Sequence, residues 1–361
     1  MSVSALSADL ALRRRRIVRR AGDLAAGPGL WTALLGFCLW AAFAETDAFV
    51  VGVVVGSVLV LGAIGLTLIY GILKFAHFAH GDSMMLAAYV AFFALTGTAV
   101  GARTDVSLPW SLDDLPGATT PIWDFSFGYG LLLAVPFATL VTVALFLGLE
   151  KLVYGPLRRR RASIVIFAIA SLGIAIAMRS FVLAVWGPSP RLYVKGIRPT
   201  IDLPFGPRIV TDQIFIAGVA ILLVALVYLL LFRTRIGRAM RATADNADLA
   251  RVAGIDTDMV IRWTWVVSAA LVAIAGVLLA LQSQLKPELG FILLLPLFAA
   301  TVLGGIGSPQ GALAGGLFVG VAQEVAVTFG FLSPGYKFSV AFAILIAVIL
   351  VRPRGLFGGQ A

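Results

Sequence analysis

An all-α polytopic transmembrane helical bundle is the fold class this sequence predicts, and three observations carry that prediction. The 361 residues are 60% hydrophobic and only 13% charged, with a mean hydropathy of +1.00, far more apolar than a chain that covers a soluble surface with charge. Apolar runs long enough to cross about 30 Å of hydrocarbon recur along the whole length. The basic residues gather in alternate connections between those runs.

Ten runs are expected to be spans, at about 30–45, 49–73, 83–100, 128–149, 164–186, 213–232, 263–283, 288–306, 310–329 and 336–351. The first is marginal in length for a crossing. Orientation follows from Lys and Arg, which are retained on the cytoplasmic side. With the N-terminus inside, the cytoplasmic segments are 1–29 with six Arg, 74–82 with Lys74, 150–163 with Lys151 and Arg158 to Arg161, 233–262 with six Arg, and a tail with Arg352 and Arg354. These segments hold 20 of the 28 Lys and Arg, against six outside at Arg103, Arg191, Lys195, Arg198, Arg208 and Lys286. Arg179 and Lys337 fall within spans.

Both termini are therefore expected in the cytoplasm. The chain divides into a basic N-terminal segment 1–29, a transmembrane domain 30–351 and a tail 352–361. The formal net charge of +10 follows from topology, and no nucleic-acid partner is expected. RRRRIVRR, an apolar run and then Ala42-Phe43-Ala44 before Glu45 also has the form of a cleaved secretory signal. A second apolar span follows almost at once, so a retained signal anchor is the simpler reading. Cys38 is the single cysteine, which excludes an internal disulfide and a thiol cluster.

Two outside loops interrupt the spans. The longer, 101–127, carries Asp105, Asp113, Asp114 and Asp124, and 187–212 is rich in Pro and Gly, which predicts an irregular course or a short hairpin at the membrane surface. Neither is large enough to be a folded domain, so the function must lie in or across the bilayer. The spans hold no set of nucleophile, base and orienting group, and the chain is expected not to be an enzyme.

The one substantial cytoplasmic segment is RTRIGRAMRATADNADLARVAGIDTDMVIRW, residues 233–263. Its Arg, Ala, Met and Leu favour helix, and Gly254 followed by Ile255 and Asp256 reads as a stop and a new start. On a 3.6-residue period Ala242, Leu249, Ala253 and Met240 share an apolar side. Such a helix can lie against anionic lipid or fit a groove on a partner. In LFAATVLGGIGSPQGALAGGLFVG, residues 297–320, Gly311, Gly315 and Gly316 form a small-residue stripe for close helix contact. Gly304, Gly305 and Gly307 ahead of Pro309 suggest either a backbone break facing the pathway or a plain cytoplasmic turn with tight packing.

These two segments and GLTLIYGILKFAHFAHGDSMMLAAYVA (65–91) together resemble the membrane-spanning permease of branched-chain amino acid ABC importers, the high-affinity leucine/isoleucine/valine type. The likeness runs with gaps from about 50 to 352, and the urea-type permeases are closely similar. It implies a permease subunit of the bacterial inner membrane that moves a small polar solute inward. Branched-chain or other amino acids are the leading cargo and urea or short amides the next. It implies as partners a second permease, two ATPase subunits that use ATP, and an external solute-binding protein, with no cofactor on this chain. It assigns the 233–262 loop to docking on the ATPase: Asp248, Leu249 and Ala250 followed by Gly254 match a pattern of acid, Ala, Ala, three residues and Gly, with Leu249 in place of a small residue. No lysine follows a glycine, so a phosphate-cradling P-loop is absent and energy must come from another chain.

His77 and His80 are the only histidines, in LKFAHFAHGD (73–82), where the resembled family has Asn-Phe-Ala-His-Gly. Phe78, Ala79, His80 and Gly81 match that motif and His77 stands in for Asn. Gly81 is expected to end a helix and Asp82 to cap the next. A metal pair lacks a third ligand, and a pH sensor has no evident use in an ATP-driven permease. Polar side chains holding a gate or loop at a helix break is the preferred reading over direct substrate contact. Arg179, late in the fifth span, is expected to snorkel to the outer interface or to meet a substrate carboxylate. Glu324, mid-span, is expected to face the bundle interior opposite a partner the sequence does not name. The reading from another class is a stand-alone channel or secondary transporter, with Arg179, Glu324 and the histidines as an ion path.

Overall fold

A computed structural model of the chain describes residues 28–357 apart from 102, 103, 195, 197, 203–205, 331, 353 and 354. The expected N-terminal segment therefore lies almost wholly outside the described residues, as do Arg103, Lys195, Arg354 and the last four residues of the tail.

Each of the ten apolar runs folds as a helix. They are α1 (Pro28–Ala44), α2 (Thr46–Leu73), α3 (Ala79–Thr96), α4 (Tyr129–Leu149), α6 (Ile164–Trp186), α7 (Thr211–Arg233), α10 (Thr257–Gln282), α11 (Leu289–Gly304), α12 (Pro309–Thr328) and α13 (Lys337–Val351). Three short helices complete the set: α5 (Gly155–Arg159), α8 (Arg235–Asp245) and α9 (Ala247–Val252). Seven helices are long and apolar enough to cross a membrane, which makes this a mostly helical, multi-pass membrane protein. The other three are short or carry polar residues: α1 has 17 residues, α11 has 16, and α3 opens on Ala-His-Gly-Asp.

Burial sorts the helices into a centre and a rim. In α2 and α10 the most apolar stretch is 72% and 78% buried, whereas in α6 and α7 it is 22% and in α13 only 6%. Rim side chains such as Ile169, Leu226 and Ile349 stay exposed, as suits helices turned towards acyl chains. At the centre α2 meets α12 through glycines. A Cβ at Gly52 would lie 2.7 Å from Val321 Cα, and one at Gly56 would lie 3.0 Å from Leu317 Cα. Such contact replaces hydrophobic drive, which is weak between helices in lipid, with close van der Waals packing.

Two boundaries depart from the sequence reading. The third span is shifted towards the N-terminus because Gly97 takes φ +65° and ends α3, leaving Thr98–Val100 to form β1. This strand pairs antiparallel with β2 (Asp105–Ser107), with Thr98 opposite Ser107. The expected cytoplasmic segment 150–163 is largely helix. A π-helical turn at Glu150–Tyr154 carries α4 straight into α5, giving one helix over Tyr129–Arg159. Glu150 accepts bonds from both terminal nitrogens of Arg158, at 2.7 and 3.1 Å, and so ties the wide turn together. The second outside loop contains the short hairpin it was expected to allow, β3 (Thr200–Asp202) against β4 (Arg208–Val210).

Candidate functional site

Lys74 ends α2 in a left-handed conformation, φ 59°, with its amide bonded to Tyr70 O. The chain then turns back into the protein. Phe75 is 1% exposed and His77, Ala79 and His80 are fully buried. His80 Nε2 sits 2.8 Å from the carbonyl oxygen of Gly62, eleven residues before the end of α2 and about 16 Å up its axis. Residues 75–78 thus form a re-entrant connection, folded deeper than the cytoplasmic segment expected over 74–82. Irregular backbone is tolerated at that depth because protein surrounds it.

The expected helix stop at Gly81 is also corrected. Gly81 and Asp82 lie inside α3, whose N-cap position is Phe78, and neither residue caps a helix. Gly81 is required by contact: a Cβ there would collide with the carbonyl oxygen of Gly290 at the start of α11. Gly65 is similarly confined, since a Cβ would lie 3.1 Å from His80 Cε1.

His77 stands in an aromatic cage. Its ring centroid is 5.3 Å from Trp265, 5.6 Å from Phe146, 5.8 Å from Tyr154, 6.0 Å from Phe75 and 5.8 Å from His80. Neither ring nitrogen of His77 has a hydrogen-bond partner. Trp265, on α10, stacks on Tyr154 at 5.2 Å and donates its Nε1–H to Glu150 at 2.7 Å. The histidine pair is thereby linked to α10 and to the π-turn. Among the described residues no group of three His, Cys, Asp or Glu could hold a metal.

Two residues on, Asp82 is 1% exposed and accepts three hydrogen bonds from Arg179 at 3.0–3.1 Å. The guanidinium also lies 4.5 Å from the centre of the Phe291 ring. Arg179 therefore does not snorkel to the outer interface. A carboxylate within reach at low dielectric holds the cation inside the bundle. Glu324 has a partner too: Lys337 Nζ, at the first residue of α13, is 2.5 Å from its carboxylate.

Gly304, Gly305 and Gly307 form a tight turn between α11 and α12. Gly305 and Gly307 take φ 103° and 88°, and the Ser308 hydroxyl accepts the Gly311 amide at 3.1 Å. A Cβ at Gly304 or Gly311 would strike the other residue's backbone, so the small residues serve helix contact.

Between α7 and α10, three side chains cap three helix starts in series. Thr234 accepts from Gly237 N at 3.0 Å, Asn246 from Leu249 N at 2.9 Å and Asp256 from Met259 N at 2.9 Å. Asn246 breaks the single helix expected here, so the apolar residues do not share one side. Met240 and Ala250 are buried at 1% and 4%, whereas Leu249 and Val252 stand out at 66% and 87%. Asp248 is exposed beside Arg251, 3.8 Å away, and Gly254 turns the chain into α10 with φ 85°. A small apolar knob thus projects from a capped helical hairpin.

Residues 48–349 match the family described as branched-chain amino acid transport system / permease component. The chain belongs to this family. Among its relatives, the high-affinity branched-chain amino acid transport system permease protein LivH of Salmonella typhimurium is 34% identical over 314 residues, 85% of this chain and 93% of that protein. The permease BraD of Pseudomonas aeruginosa is 35% identical over 321 residues, 85% of this chain and 94% of its own length. The probable permease LivH of Methanocaldococcus jannaschii is 29% identical over 319 residues, 85% of this chain and 90% of its own. No solved structure matches the chain.

Within this branched-chain permease frame, the structure brings His77, His80, Gly81 and Asp82 together at the start of α3. It sets Gly304, Gly305 and Gly307 apart in the α11–α12 turn, Glu324 in the α12–α13 pair, and Asp248, Leu249, Ala250 and Gly254 in the exposed hairpin. Sequence reasoning missed Glu150, Trp265 and Val252. A lone acid at the end of an apolar run is the signal that could have pointed to Glu150.

Proposed function

We propose that this chain is the permease subunit of an ATP-driven importer of the bacterial inner membrane that carries branched-chain or other small amino acids into the cytoplasm. In this reading it crosses the membrane ten times with both termini inside. It pairs with a second permease, two ATPase subunits and an external solute-binding protein, and ATP is consumed by the ATPases alone. The names of the LivH and BraD relatives support the cargo class.

The observation that carries the reading is the exposed pair Leu249 and Val252 on α9, with Met240 and Ala250 rooted in the bundle beneath them. Apolar side chains held out by a capped, anchored hairpin fit insertion into a groove on another protein. A stand-alone channel has no use for that knob. The buried end of the hairpin leads through α10 to Trp265, Glu150 and the histidine break, so a push on α9 reaches the re-entrant segment through direct contacts.

A photo-crosslinking residue at position 249 tests this in the assembled complex. The expected result is a crosslink to the ATPase subunit, together with leucine uptake into proteoliposomes that requires ATP. Uptake by this chain alone in vesicles, without ATP or partners, overturns the proposal.

A further inference from the structure

Lys74 closes α2 in a left-handed conformation, φ 59° and ψ 27°. That conformation crowds a Cβ against the backbone, and glycine is the residue that enters it freely. A lysine kept there points to a use for its side chain. Its Nζ donates to the carbonyl oxygen of Ala244 at 2.7 Å, 170 residues away on α8.

Ala244 lies in the last turn of α8, whose final carbonyls have no amide donor within the helix. Asn246 N takes the Ala242 carbonyl at 3.0 Å, and the Lys74 ammonium takes that of Ala244, at the helix end where the backbone dipole favours a cation. The other polar ties of the hairpin run to the helices that adjoin it in sequence. Thr234 donates to Leu230 O on α7, Arg251 to Thr257 Oγ1 on α10, and Arg241 lies over the Phe232 ring. Among the described residues, the Lys74 bond is the hydrogen bond that carries the hairpin across to α2. Beside it α8 and α2 part around a cavity of about 570 Å³ lined by Leu68, Gly71, Arg241 and Ala244, so packing between them is interrupted there.

We propose that Lys74 is a positioning residue that transmits displacement of the hairpin to the re-entrant segment, a role that rests on the importer reading above. The next residue in the chain is Phe75, 1% exposed, with its ring 5.2 Å from Tyr154 and 5.2 Å from Phe167. A pull on the C-terminus of α8 therefore acts on the main chain where α2 ends and the buried segment begins, just ahead of the aromatic cage around His77. The contacts through α10 and Trp265 reach that cage from its side, whereas the Lys74 bond grips the segment at its root.

Lys74→Gly and Lys74→Asn test this in the assembled complex in proteoliposomes, with leucine uptake and ATP hydrolysis measured on the same vesicles. Both residues take the left-handed backbone readily, and neither reaches Ala244. Both variants are expected to melt close to wild type, since the relieved backbone offsets the lost hydrogen bond, and to hydrolyse ATP at close to the wild-type rate. Leucine carried per ATP should fall about fivefold or more. Lys74→Arg keeps a cationic donor of similar reach and should restore most of that ratio. A wild-type ratio in Lys74→Gly shows that residue 74 only ends α2 and overturns the proposal. So does an equal fall in uptake and hydrolysis, loss of the ATPase subunits, or a Lys74→Arg ratio as low as that of Lys74→Gly. Failure of the importer reading shows separately, as uptake by wild type without ATP or partners.

Discussion

Asp82 and Arg179, 97 residues apart, form a buried two-pronged ion pair that fastens α6 to the start of α3. The carboxylate has almost no solvent, so removing the cation strands a charge in low dielectric. Arg179→Gln is therefore expected to cost about 3 kcal/mol, the low end for a broken buried pair because Arg179 keeps 24% exposure. The companion Asp82→Asn/Arg179→Gln should recover a large part of that loss. Thermal unfolding of the purified variants checks it, and strict additivity of the two changes contradicts it.

His80 bonds Gly62 O with no room to spare beside Gly65. His80→Ala is expected to lower uptake severalfold while the chain still assembles with its partners, and His80→Gln should retain more activity by keeping a polar side chain in the gap. Transport assays beside pull-downs separate these effects. Wild-type uptake by His80→Ala would remove the re-entrant segment from the working parts.

Two glycines make opposite predictions. Gly81→Ala forces a methyl into the Gly290 carbonyl and should prevent accumulation of folded protein. Gly254 has open space around it and only a positive φ, 85°, to satisfy, so Gly254→Asn should cost under about 1 kcal/mol. Membrane expression levels of the two variants measure the contrast.

Leu249 and Val252 are 66% and 87% exposed. Changing both to Asp should leave the melting temperature within about 1 °C, consistent with surface substitutions, while uptake falls at least about tenfold. Unchanged uptake would show that the hairpin docks elsewhere.

In the connection between α3 and α4, burial and the neighbouring charge of Asp114 push the Asp113 carboxyl above its ordinary value. A carboxyl raised in the fold stabilises below its unfolded pKa, and that stability is lost as pH rises through the folded pKa. Asp113→Asn should therefore raise stability at neutral pH, with the gain vanishing in acid. Unfolding midpoints across a pH series read the sign directly.

Much of the fold was legible because hydrocarbon thickness imposes a length on apolar runs, and all ten runs are helices. What failed was depth. LKFAHFAHGD reads as a short inner connection, and nothing local distinguishes a loop in water from one folded back among Trp265, Phe146 and Tyr154. The partners of Arg179 and Glu324, which are Asp82 and Lys337, lie 97 and 13 residues away, so position within the spans marked these charges as costly without naming what neutralises them. The turn at Gly254 was read from the sequence, and the resemblance singled out the acid–Leu–Ala triplet before it. The break at Asn246 was missed because one continuous helical period was assumed, and with it which apolar residues point outward.

The glycine seam between α2 and α12 has a mechanical consequence. Two main chains in direct touch leave no compressible layer, so neither can slide or tilt without dragging the other. Any opening and closing must happen at borders cushioned by long side chains, and the seam itself behaves as one beam about which the lighter outer staves swing.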